Sequence, residues 1–334
     1  MKRVVRPLRP SDREAWDRLA AAAPGSGFMQ SWDWSEFKEL EGYDVARLGI
    51  FDGGGLRGGA IAYAFPGPAE ARLLALPDGP VLPWRDAEAP ALFDALTAAL
   101  KKSPIARDAV TVRIEPRLDE APPFLRSWTR GPIDLVPDET LEVELGAEAE
   151  MLARMKPKGR YNVRLAERHG VETISSTSPG DVHEFHFVLQ QAAGYQNFRA
   201  EPKSFFINLA RSLFPGRARF AFARYRGVTL AAALTVRFGD TVTYLYGGLV
   251  PLFRSVMASY ALHWHLLKEA AREGHRLYDF YGYVSRENRE HPYYGFSRFK
   301  EQFGGTPRRR MGSRDQILYD RLARAALEII STAA

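Results

Sequence analysis

Residues 276–305, RLYDFYGYVSRENREHPYYGFSRFKEQFGG, constrain the fold more than any other stretch of this chain. The apolar run Leu277-Tyr278-Asp279-Phe280-Tyr281, bounded by Gly274 and Gly282, predicts a short buried strand, with Asp279 in a structural role. A polar loop containing Pro292 follows. Phe296, Phe299 and Phe303 then recur at helical spacing, which predicts a helix with one apolar face, stopped by Gly304-Gly305. Lys300 sits directly after Phe299. Spacing leaves two readings open for it: a fixed cation in a dry site, or an exposed lysine on a short surface helix.

A chain of 334 residues with 46% apolar content can bury a large core and is expected to form about two domains. It has no uninterrupted apolar run of ~18 residues, so no membrane-spanning helix is expected. The start, MKRVVRPLRPSDREAW, lacks the apolar stretch of a signal peptide, and a cytoplasmic location is expected. The absence of cysteine excludes disulfides, thiolate zinc sites and cysteine nucleophiles. The seven histidines show no metal-like clustering apart from His263 and His265. Those two would point to different faces of a helix, so no metal site is expected. A net charge of +6 suits a polyanionic partner without identifying one.

In chain order, Ser11-Asp12-Arg13-Glu14 caps a helix running to about Ala22. Trp34, Phe37 and Lys38 fall on adjacent faces of the next helical segment, and Lys38 alone reads as solvated. Val45 to Phe51 and Gly58 to Phe65, joined by Gly53-Gly54-Gly55, predict a hairpin. Leu73 to Leu76 leads into Pro77-Asp78-Gly79-Pro80-Val81. Ala89 to Lys101 reads as an amphipathic helix, and Ala109 to Ile114 as a strand closed by Glu115-Pro116. Glu115 is either a solvent-exposed carboxylate or a site residue. A second unit opens with the strand Leu141 to Leu145. Lys156, Arg160, Arg164 and Arg168, four residues apart, predict a basic stripe for a phosphate backbone or a solvated helix face. The strands Arg219–Tyr225, Thr229–Phe238 and Thr241–Tyr246 repeat the layout of the first hairpin, which predicts an internal duplication. A long helix, Met257 to Glu273, and a final helix, Asp315 to Ile330, complete the chain. The expected domains are 1–139 with 308–334, and 140–307.

The pattern Y-D-F-x-G followed by G-F-x-x-F-K-x-x-F-G-G resembles the signature of the FemX/FemAB family, the peptidoglycan interpeptide-bridge aminoacyltransferases. Further resemblance lies in Gln30-Ser31, Trp34 and Lys38, in Asp78-Gly79-Pro80-Val81, in Glu115-Pro116, and in Arg160, Asn162 and Ala166. It spans nearly the whole chain. The resemblance implies an α/β (α+β) fold of two tandem GNAT-like (acyl-CoA N-acyltransferase-like) domains facing across a cleft. The first would serve the acceptor and the second the aminoacyl-tRNA. No charged heptad segment interrupts the second unit, as in the shorter, FemX-like members, and the final helix would pack back onto the first domain.

The reaction implied moves an amino acid from aminoacyl-tRNA to the side-chain amine of a peptidoglycan precursor, either UDP-MurNAc-pentapeptide or lipid II. It calls for no cofactor. A monomer is expected, with peripheral association to the inner membrane face as an option. Carried over residue by residue, Lys300 stabilises the oxyanion or the leaving ribose oxygen, and Phe299 shapes that site. Glu115 is a base or amine anchor, Lys38 contacts the precursor's phosphates, and Tyr246 lines the acceptor channel. The short members carry an arginine before the proline of the segment matching Ala200 to Phe206. Here that position is Glu201, so Arg199 and Lys203 are the candidate substitutes. Lys156, Arg160, Arg164 and Arg168 would meet the tRNA. Two rivals stay open: an acyl-CoA-dependent GNAT enzyme, although neither unit has a clear glycine-rich pyrophosphate loop, and a non-enzymatic RNA-binding protein.

Overall fold

The described residues form two seven-stranded sheets flanked by helices. The computed structural model describes residues 3–66, 71–196, 198–285, 287–291, 294–318 and 320. These divide into two units, one from Met1–Asp138 with Arg310–Ala334, the other Glu139–Arg309.

The first unit runs β1 (Val4–Pro7), α1 (Arg13–Ala22), α2 (Trp32–Leu40), β2 (Asp44–Asp52), β3 (Gly55–Pro66), β4 (Arg72–Pro77), α3 (Ala89–Lys102), β5 (Ala109–Glu115) and β6 (Thr129–Arg130). Ser31 caps α2 by accepting from the Trp34 amide at 3.2 Å. Gly53 and Gly54, at φ 60° and 85°, supply the left-handed backbone that closes the β2–β3 hairpin. One face of α3 buries Leu92, Phe93, Leu96 and Leu100 against the sheet, the burial its spacing predicts.

The second unit runs β7 (Glu139–Glu144), α4 (Glu148–Arg154), α5 (Pro157–Arg168), β8 (Glu172–Ser176), α6 (Val182–Gln196), α7 (Lys203–Leu213), β9 (Ala218–Tyr225), β10 (Val228–Phe238), β11 (Thr241–Leu249), α8 (Ala258–Arg272), β12 (Leu277–Asp279), α9 (Tyr294–Lys300) and β13 (Thr306–Arg309). The chain then returns to the first sheet as β14 (Arg314–Ile317). The strand orders are β1-β2-β3-β4-β5-β14-β6 and β13-β7-β12-β11-β10-β9-β8.

Both units share one grammar. Three antiparallel strands (β2-β3-β4, β9-β10-β11) lead into a helix (α3, α8) and then a strand parallel to the third. A parallel partner requires such a crossover, because a tight turn reverses the chain. In the second unit only Thr243↔Asp279 and two earlier pairs join β11 to β12. Beyond Thr243, β11 runs on to Leu249 paired with β10 and no longer with β12. The two strands therefore part company at the carboxyl end of β12.

Two expectations need correction. Residues 315–317, expected to open the final helix, lie in strand β14, where Asp315 forms a buried ion pair with Arg113 at 2.7 Å. Of the rest of that expected helix, residue 319 and those from 321 onward lie outside the described residues. The basic stripe also fails to start on a helix. Lys156 is the extended N-cap of α5 (ψ 151°), because Pro157 excludes helical backbone from the residue before it. No helix among the described residues is long and apolar enough to cross a membrane.

Two helical glycines make opposite predictions. A Cβ on Gly194 in α6 would meet nothing within 4 Å, so Gly194→Ala is expected to stabilise by about 0.5–1 kcal/mol. A Cβ on Gly159 in α5 would fall 2.3 Å from the Gln302 carbonyl oxygen, so Gly159→Ala is expected to destabilise by about 1–3 kcal/mol despite better helix propensity. Urea unfolding of the two variants beside the wild type checks both signs.

Candidate functional site

The segment after β12 folds back so that Lys300 is buried, with 3% exposure, which removes its surface reading. Its ammonium donates to the carbonyls of Phe280 (2.9 Å), Tyr281 (3.1 Å) and Gly282. The Phe296 ring lies 4.4 Å from Nζ. Burial pulls the Lys300 pKa down to about 7, against the opposing pull of Asp279. The three carbonyls also favour the charged form, since each accepts from N–H.

The helix pattern around Lys300 is only partly as expected. Phe303 is fully buried and Phe299 packs on the core, 5.0 Å from Tyr260 and 5.5 Å from His263. Phe296 is 38% exposed and serves as a face for the lysine. Burial, with Lys300 adding to it, holds His263 down at about 3, so its ring is neutral. Asp279 is fully buried, accepting from Thr140 Oγ1 and from the Tyr281 amide at 2.8 Å.

Several residues of this arrangement escaped sequence reasoning. Glu301, buried next to Lys300, accepts from the Tyr283 hydroxyl at 2.8 Å and pairs with Lys156 and Arg298. Ser297 accepts from the Val284 amide at 2.9 Å. The signal for Glu301 was its place between Lys300 and Phe303 in an otherwise aromatic segment. Lys156 and Arg160 both turn toward backbone or carboxylate partners, Arg160 donating to the Met155 carbonyl. Arg164 and Arg168 remain exposed, with Arg168 5.8 Å from the Tyr161 ring.

Tyr246 packs on α7, its ring 5.3 Å from Phe206 and 5.7 Å from Phe205. Lys203 opens that same helix and is exposed, its Nζ 3.5 Å from His183 Nδ1. Arg199 is exposed on the connection before it.

In the first unit, Lys38 lies in the last turn of α2, its Nζ 3.8 Å from the Tyr43 ring. Glu115 ends β5 and is 4% exposed, which removes its solvent-exposed reading. Its carboxylate accepts from the Leu135 amide (3.0 and 3.1 Å) and the Val136 amide (2.7 Å). Burial pushes its pKa up to about 7. The two amides and Arg113 oppose that rise, and Asp134 adds to it.

Because the folded pKa lies above the ordinary 4.5, Glu115 binds its proton more tightly in the folded state. Its contribution is complete below pH 4.5 and is lost as pH rises through about 7. The unfolding free energy of the wild type, minus that of Glu115→Gln, is therefore expected to fall by about 3 kcal/mol between those limits. Denaturant titrations at several pH values measure this, and a flat difference would refute it.

The model of the FemAB family matches residues 12–122 and 223–319, more than half of the chain and including both β5 and the Lys300 segment. No curated protein matches the sequence. The crystal structure of FemX superposes with a TM-score of 0.86 at 18% identity, over 97% of this chain and 99% of that one. L-PGS from Bacillus licheniformis gives 0.57 at 13% identity, covering 96% and 97%. A tandem GNAT protein from the clavulanic acid biosynthesis pathway gives 0.56 at 15%, covering 95% and 98%. At these identities the structures speak for the fold, two tandem GNAT-like domains of the α/β class. The match of the family model goes further: the chain belongs to the FemAB family.

Proposed function

We propose that this chain is an aminoacyltransferase that moves an amino acid from aminoacyl-tRNA to the side-chain amine of a peptidoglycan precursor. The observation that carries the reading is the buried Lys300 ammonium inside the matched segment, at the point where β11 and β12 separate. Crevices at the carboxyl ends of parallel strands are common ligand sites. An aminoacyl ester is already activated, so the attack needs a deprotonated amine, a stabilised oxyanion and good positioning. As the amine adds, the C–N bond forms and the carbonyl oxygen becomes an oxyanion. Collapse breaks the ester C–O bond, and the ribose hydroxyl takes up the proton that the amine gives away.

In this reading Lys300 exchanges one of its carbonyl acceptors for the oxyanion, because a full negative charge outcompetes a neutral carbonyl for an ammonium donor. Phe299 and its ring contacts keep water from the charge. We assign the acceptor to the first unit, with Lys38 on its phosphates and Glu115, poised near neutrality, as base or amine anchor. On the second unit, Tyr246, Arg199 and Lys203 are the residues we assign to substrate binding. Arg164 and Arg168 are the exposed members of the basic set and the ones we assign to tRNA phosphates, whereas Lys156 and Arg160 serve the fold.

The direct test supplies purified protein with charged tRNA pools and a precursor, with acetyl-CoA as the control donor. Transfer from acetyl-CoA alone would replace this reading with acyl-CoA chemistry. Lys300→Met is expected to lower kcat by roughly 10²–10³-fold with a much smaller change in KM. It also leaves three carbonyls without their donor, so a stability loss of about 1–3 kcal/mol is expected, and rates must be taken on folded protein. A single-turnover rate within about threefold of wild type would remove Lys300 from the mechanism. Replacing Arg164 and Arg168 together by Gln should weaken use of aminoacyl-tRNA and flatten its salt dependence by about two phosphate contacts. An unchanged slope would leave them as solvated charge.

A further inference from the structure

Tyr281 carries a backbone conformation that its side chain disfavours. Its φ is 54°, in the left-handed region, where a bulky residue is a true outlier. Left-handed backbone appears elsewhere at non-glycine residues, with evident relief at two of them: Asp78 is an aspartate, and Arg226 shares a hairpin turn with Gly227. Phe253, Met257 and Tyr281 have no such relief, and of the three Tyr281 alone lies in the Lys300 segment. Gly282 stands next to it and keeps an ordinary φ. A chain that only needed to reverse direction here could put its glycine at 281 at no steric cost.

The strain is held from several sides. The Tyr281 amide donates to Asp279 Oδ1 at 2.8 Å, and its carbonyl accepts from Lys300 at 3.1 Å. The carbonyls on either side, of Phe280 and Gly282, accept from the same ammonium. Just beyond, the Val284 amide is fixed by Ser297 and the Tyr283 hydroxyl by Glu301. Strained residues persist when their surroundings over-determine them, and they concentrate at functional sites. The place is where such a residue would matter, two positions past the last β11–β12 pair. Tyr281 is half-buried there, neither core nor fully solvated.

We propose that Tyr281 is a substrate-contacting residue, held in left-handed backbone by Lys300 and Asp279 so that its ring walls the acyl-transfer site. The inference rests on the aminoacyl-transfer reading above and adds to it a residue that the matched motif leaves variable. It also gives Lys300 a second task. Besides its charge, the lysine fixes the turn from which the ring is presented.

Glycine and asparagine both accept left-handed backbone more readily than tyrosine, so Tyr281→Gly and Tyr281→Asn are expected to fold with the turn intact. Near-wild-type melting temperatures verify that. Steady-state transfer is then measured for wild type, both variants and Tyr281→Phe, with aminoacyl-tRNA and precursor each varied. The Gly and Asn variants are expected to lose at least about tenfold in kcat/KM, while Tyr281→Phe, which keeps the ring, retains at least about a third of the wild-type value. Folded Gly and Asn variants within about threefold of wild type would overturn the proposal and leave the aminoacyl-transfer reading intact. A Phe variant as poor as the Gly variant would overturn the assignment to the ring. Wild-type protein that transfers from no charged tRNA would overturn the functional reading, and this inference with it.

Discussion

One ammonium on three carbonyls holds the second unit's site together. Taking a lysine out of water costs several kcal/mol, and the cost is offset only where charge-assisted bonds replace the lost hydration. At Lys300 the replacement is complete in number, since three N–H donors meet three acceptors, with the Phe296 face and the Asp279 charge adding to them. The bonds bridge 18 to 20 residues of sequence, so they close the loop between β12 and α9. The flanking residues extend the same anchor. Phe299 reaches Tyr260 and His263 on α8, and Glu301 reaches Lys156 at the start of α5. Three consecutive side chains thus fasten the segment to three elements. Close backbone approach completes it. A Cβ at Gly304 would fall 2.2 Å from the Arg154 carbonyl, so the chain can pass there only with glycine, at φ 80°.

Much of this was legible in the sequence, and the part that was not has a physical reason. The hairpins, the crossover helices α3 and α8 and the repeated layout follow from periodicity and glycine punctuation, which are local signals. The FemAB motif brought Lys300 and Phe299 forward. What spacing could not supply was the partner of each charge. Lys156, Arg160, Arg164 and Arg168 look equivalent at four-residue intervals, yet Pro157 takes Lys156 off the helix and Glu301 takes its charge. Glu301 is 145 residues away from it, beyond the reach of any local pattern. The misread start of the final helix has the same origin. Asp315 pairs with Arg113 across 202 residues, and that buried pair together with the ladder to β5 outweighs local helix preference. Phe296 fits the apolar stripe by spacing, yet it is 38% exposed and meets the Lys300 ammonium instead of the core.

The duplication sets the same problem in both units and the chain answers it with opposite charges. Where a strand ends inside the protein, its next backbone groups lose their ladder partners and must be satisfied some other way. After β12 the groups in need are carbonyls, and a cation meets them. At the end of β5 the groups in need lie on another segment, the amides of Leu135 and Val136 in the connection between β6 and β7, and the Glu115 carboxylate meets them. Burial drives both groups toward neutrality from opposite directions, the lysine down to about 7 and the glutamate up to about 7. A buried charge that is well hydrogen-bonded resists this pull, and one that is poorly bonded surrenders its proton chemistry altogether. Each site sits between those limits. Each unit therefore holds one buried ionisable side chain on backbone groups, Lys300 on the carbonyls of Phe280, Tyr281 and Gly282 and Glu115 on the amides of Leu135 and Val136. In both units a buried side chain satisfies backbone groups that no strand ladder pairs.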